Sequence, residues 1–113
     1  MKIKFTVLLL AGCLQSALAN NVSKVSTITE MYTYGNVSGI SGDLVIKIAS
    51  PPTGCEAGFY VPAADLENNK NISAILLSAF HSNANVYFAG NTTQIWSGST
   101  TNYCKAHTVG LQK

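Results

Sequence analysis

Apolar and polar positions alternate along most of this chain, and the alternation gives way to helical spacing once. Val22 to Tyr34 is rich in threonine, valine, isoleucine and tyrosine and holds no proline. That composition predicts a long, half-exposed strand. Gly35 to Gly42 reads as a turn region, with glycine at 35, 39 and 42. From Asp43 to Ala49 the pattern is strict. Leu44, Ile46 and Ile48 share one face, while Val45, Lys47 and Ala49 take the other. Ser50-Pro51-Pro52-Thr53-Gly54 ends that strand and leads into Cys55, and Gly58 to Val61 is a short third strand closed by Pro62. Ile72, Ile75, Leu76, Ala79 and Phe80 then fall at the spacing of a buried helical stripe. Asn69 or Asn71 can cap its start and Asn83 can end it. Asn85 to Ala89 returns to strand, with Val86 and Phe88 on one side. Gly90 to Asn102 reads as a loop carrying Trp96, and Tyr103 to Leu111 as a last strand.

The order is three strands, one helix, two strands. It predicts a mainly β fold with one helix, arranged as a five-stranded OB-fold-like Greek-key barrel with the helix between strands three and four. Residues 20–113 are enough for a single domain. No internal repeat, linker or low-complexity tract interrupts them.

The first residues change the picture of where the protein works. Met1-Lys2-Ile3-Lys4 is a basic start, Phe5 to Leu14 is a short apolar run, and Ala17-Leu18-Ala19 is an A-x-A site. This is the pattern of a signal peptide over residues 1–19, and the run is too short to span a bilayer. A competing reading is Leu10-Ala11-Gly12-Cys13 as a lipobox, with lipid attached at Cys13. Only twelve residues precede that cysteine, and the Ala17-Leu18-Ala19 site favours secretion or release to a periplasm as a soluble product. Cys55 and Cys104 are the two thiols left after cleavage, and one disulfide between them is the expectation for a small exported domain. Closing a loop of about 50 residues contributes roughly 4 kcal/mol in the chain-entropy account.

Cleavage also changes the charge. The formal +2 comes from Lys2 and Lys4; beyond them five lysines face five acids, and the sequence contains no arginine. Near-zero charge without guanidinium groups argues against nucleic acid or phosphate as the main partner. Four N-x-S/T sequons, at Asn21, Asn36, Asn71 and Asn91, are a weak excess over chance and matter only in a glycosylating host.

The run Leu77-Ser78-Ala79-Phe80-His81-Ser82-Asn83-Ala84-Asn85-Val86-Tyr87-Phe88, then Ile95-Trp96 and Val109-Gly110-Leu111, carries a family likeness. With the cysteine before the third strand, residues 55–111 resemble the B subunits of the subtilase cytotoxin and pertussis-like toxin family. The resemblance implies an OB-fold, export, glycan binding at a cell surface, assembly into a pentameric ring and an exported enzymatic A subunit. Those subunits typically carry a second cysteine pair, which is missing here, and no sugar-contacting residue is carried over to a position of this chain.

Candidate chemistry is sparse. His81 and His107 have no acid or thiol at ligand spacing, so no metal site is expected. A Cys–His nucleophile would need a free thiol. Asp65 and Glu67 read as a solvated loop. No phosphate loop, G-x-S-x-G or H-E-x-x-H occurs. Neither an enzyme nor a cofactor is expected. Trp96, in a stretch rich in Gly, Ser, Thr and Asn, is the first candidate for ligand binding. An aromatic ring covers the C–H face of a sugar while amides and hydroxyls take its hydroxyl groups. The opposing reading is that Trp96 caps the core. Tyr32 and Tyr34 are further candidates. The expectation is an exported binding module; the alternative is a solitary periplasmic or envelope accessory or inhibitor protein.

Overall fold

The computed structural model describes residues 20–113. The expected leader over residues 1–19, and the alternative lipid site at Cys13, lie outside the described residues. The described chain runs β1 (Asn21–Ser26), β2 (Ile28–Thr33), β3 (Leu44–Ile48), β4 (Gly58–Val61), α1 (Ala63–Asn68), α2 (Asn71–Ser82), β5 (Asn85–Ile95) and β6 (Tyr103–Gln112). The six strands form one mixed sheet in the order β1-β5-β6-β4-β3-β2. Each neighbouring pair is antiparallel except β4 with β6, which are parallel.

The mainly β expectation is met, with differences at three places. The anticipated strand Val22–Tyr34 is split at Thr27, so six strands form in place of five. Ser26 is buried and its hydroxyl is used locally, donating to the Thr27 carbonyl at 3.1 Å and accepting from the Ser50 N–H at 3.1 Å. The Ala49 N–H donates to the Thr27 carbonyl at 3.0 Å. These bonds replace ladder pairing where the chain bends. Because β1 and β2 stand at opposite ends of the sheet order, this one bend carries the chain between its two edges. Second, Asp65 and Glu67 are not in a loop. They belong to α1, which starts after Pro62, and Asp65 in its first turn pairs with Lys105 at 3.5 Å. Third, β5 continues into the first part of the expected loop and reaches Ile95.

A β-bulge decides which way the N-terminal tyrosines point. The β2/β3 register shifts between Ile28 and Glu30. An extra residue inverts the in–out alternation beyond it. Ile28 and Met31 therefore pack on the main core, while Tyr32 and Tyr34 pack on the opposite face of the sheet.

The main core holds Ile28, Ile46, Ile48, Phe59, Val61, Leu76, Val86, Phe88 and Ala106, with Phe59 stacked on Phe88 at 5.0 Å. Cys55 and Cys104 are disulfide-bonded within it, 5.3 Å apart at Cα. Gly58 opens β4 at φ 132°, and a Cβ there would collide with the Ile46 carbonyl oxygen. No side chain fits so close an approach of two strands.

Helix α2 lies against β6, β5 and β2. Leu76 and Ala79 are buried and Ile72 packs on the core, but Phe80 is 42% exposed. The buried stripe is narrower than its spacing suggested and follows positions 72, 76 and 79. Phe80 lies at its flank, edge-on to His81. Asn83 ends the helix in the left-handed region at φ 53°, as expected; at the start Lys70 holds the cap position without a side-chain bond, while the Asn69 side-chain oxygen accepts from the Asn71 N–H at 3.2 Å.

Candidate functional site

Strand alternation puts Val45 on the outer face of the sheet, yet it is fully buried. Trp96 and Tyr103 bury it, together with Tyr32, Tyr34, Ile40, Ala57 and Tyr60 around them. Register explains the convergence. Tyr32 pairs with Val45 across β2 and β3, and Val45 pairs with Tyr60 across β3 and β4. A row of alternate side chains on adjacent strands shares one face.

Trp96 follows the last residue of β5, and its backbone N–H donates to the Tyr103 carbonyl at 2.9 Å. Its indole N–H donates to Asp43 Oδ2 at 3.0 Å, while Asp43 Oδ1 accepts from the Ala63 N–H at 3.0 Å. One carboxylate thus joins the aromatic cluster to the start of α1. The Tyr34 ring stacks on Trp96 at 5.7 Å, Tyr60 lies tilted at 6.4 Å and Tyr103 meets it edge-on at 5.6 Å. Tyr32 meets Tyr34 edge-on at 5.7 Å. Gly98 completes the enclosure, since a Cβ there would collide with the indole ring.

The three residues nominated from sequence, Trp96, Tyr32 and Tyr34, are therefore neighbours in space. Their roles differ. Trp96 is only 3% exposed and serves as the floor of the cluster. Tyr32, Tyr34 and Tyr60 are half-buried and hold the accessible aromatic surface. Tyr60, Tyr103 and Asp43 were not nominated. Alternation within Gly58–Val61 could have found Tyr60, because Phe59 and Val61 flank it facing inward.

All three half-buried phenols are raised above their ordinary value of 10.0. For Tyr32 the first cause is side-chain hydrogen bonding with Tyr103, followed by burial. For Tyr34 and Tyr60 it is loss of water, reinforced at Tyr60 by the negative charges of Asp43 and Asp65.

Beside this cluster runs an open groove of about 400 Å³ lined by Thr29, Lys47, Ile48, Glu56, Ala57, Thr101 and Tyr103. Ala57 and Tyr103 belong to both features. Lys47 pairs with Glu30 at 3.5 Å, and both side chains remain accessible. His81 and His107 are exposed, and among the described residues no three His, Cys, Asp or Glu side chains gather as metal ligands. Among these residues no helix is long and apolar enough to cross a membrane.

Comparison of the chain with protein-family models, with curated proteins and with solved structures found no match.

Proposed function

We propose that this chain is an exported, non-enzymatic binding module on an OB-fold-like barrel, and that it binds glycan on its outer aromatic face. The disulfide fits an extracellular or periplasmic location. Counting β1 and β2 as one strand bent at Thr27 gives five strands, with the helices between the third and fourth. Antiparallel pairing throughout, save one parallel pair between the third and fifth, supports the barrel reading. The observation that carries the binding reading is Tyr34, half-buried, stacked on a buried Trp96 and beside Tyr32, with a polar groove along the same face. Rings held by packing offer a rigid apolar surface that loses little entropy on binding, and the hydroxyls nearby supply directed bonds.

The likeness to toxin B subunits adds two proposals: a pentameric ring and an exported A subunit as partner. The test of binding is a glycan array probed with the exported protein and with Tyr34→Ala. Signal on a defined set of glycans that falls at least about tenfold in the variant, with the fold retained by circular dichroism, supports the reading. No signal with the parent protein overturns it.

A further inference from the structure

We propose that the sugar recognised is a neutral hexose, seated in the groove beside the aromatic face and selected against acidic sugars by Glu30 and Glu56. This rests on the glycan reading and narrows it. The groove lies within the range of small-molecule sites, about 300–1,000 Å³. It shares Tyr103 and Ala57 with the aromatic cluster, so one ligand can touch both. Lys47 is the only cation among its lining residues. Its ammonium group is already paired with Glu30, and Glu56 stands on the same groove without an ion-pair partner among the described residues.

Glu30 lies outside the lining, but its carboxylate stands 3.5 Å from the Lys47 ammonium and offsets that charge, which leaves Glu56 as the uncompensated charge on the groove. A bidentate partner for a ligand carboxylate is also absent, because the sequence has no arginine. A vicinal diol suits what is present. It donates to the Glu56 carboxylate and accepts from the Lys47 ammonium, while Thr29 and Thr101 hydroxyls act in either sense. An added carboxylate on the ligand would meet like charge at short range.

The experiment compares sugars that differ only at C6. The exported protein is titrated with the methyl glycosides of glucose, galactose and mannose, and in parallel with the matching methyl uronides. Amide chemical shifts of Thr29, Lys47, Glu56, Thr101 and Tyr103 are followed. At least one neutral glycoside should bind roughly tenfold more tightly than its uronide, and Glu30→Gln with Glu56→Gln should shrink that ratio several-fold. A uronide binding as tightly as its neutral partner overturns the selection and leaves the glycan reading standing. Shifts confined to residues outside the groove, or a ratio unchanged in the double variant, overturn the placement. No shift with any sugar overturns the inference and the glycan reading together.

Discussion

Asp43 accepts two hydrogen bonds on one carboxylate, and the orientation of Trp96 depends on one of them. Removing the indole takes away the cover of Val45 and one face of the Tyr34 stack. Trp96→Ala should therefore cost about 3–5 kcal/mol in urea unfolding, on the scale of a large aromatic deleted from a core. A cost below about 1 kcal/mol would contradict the packing described. Trp96→Phe keeps a ring but leaves Asp43 Oδ2 without its donor, at about 1–3 kcal/mol. The tyrosines make a second prediction. Their folded-state values are raised, so the fold favours the neutral phenol. That contribution is complete below the unfolded value of about 10 and is lost as pH rises through the folded values. The urea midpoint should begin to fall above about pH 10, and tyrosinate absorbance should appear later than in the unfolded chain. Invariance of that midpoint between about pH 9 and 11 would remove the linkage. The residue pattern singled out Trp96, Tyr32 and Tyr34, which the fold brings together in one cluster. It did not show which way the two tyrosines point, since that depends on a bulge between Ile28 and Glu30 that leaves no mark in the residue pattern.

Among the elements, α2 shows both the reach and the limit of periodicity. Spacing located the helix and its asparagine terminus. It widened the buried stripe by two positions, Ile75 and Phe80, because five apolar residues at helical intervals do not reveal how much of the helix circumference the sheet covers. Leu76 is fully buried and Phe80 is 42% exposed, so their truncations should separate. Leu76→Ala should cost about 2–5 kcal/mol, and Phe80→Ala no more than about 1 kcal/mol. Equal costs measured by denaturant titration would place Phe80 inside the core and contradict the helix orientation. The strands followed alternation wherever register is regular, as in Leu44–Ile48. They escaped it at Thr27 and in β5, whose pairing with β6 shifts at Ala89/Gly90 and again between Asn91 and Ile95. Those irregularities let a stretch rich in Gly, Asn and Thr continue a strand where composition alone predicts a loop.

For the whole molecule, the one parallel junction of the sheet, a short one, coincides with its covalent staple. β4 and β6 share only the pairs Gly58/Tyr103, Phe59/Cys104 and Tyr60/Lys105, and the disulfide from Cys55 lands within that stretch. Cys55→Ala should then cost about 2–5 kcal/mol, read as a lowered denaturation midpoint, with one thiol, Cys104, titratable by a thiol reagent in denaturant. Beyond Lys105, β6 pairs within the sheet only with β5 among the described residues, and Leu111 there is 50% exposed. An unpaired strand edge invites a second strand, and a ring of copies would satisfy it. If the proposed pentamer forms through this edge, light scattering at tens of micromolar should give about five times the protomer mass. Leu111→Lys should then return the protomer mass with an unchanged thermal midpoint, because the side chain is already outside the core. A protomer mass for the parent protein removes the ring. A pentamer untouched by Leu111→Lys moves the interface elsewhere, since a buried lysine at a subunit contact leaves an unpaired charge that an assembly of this size does not tolerate.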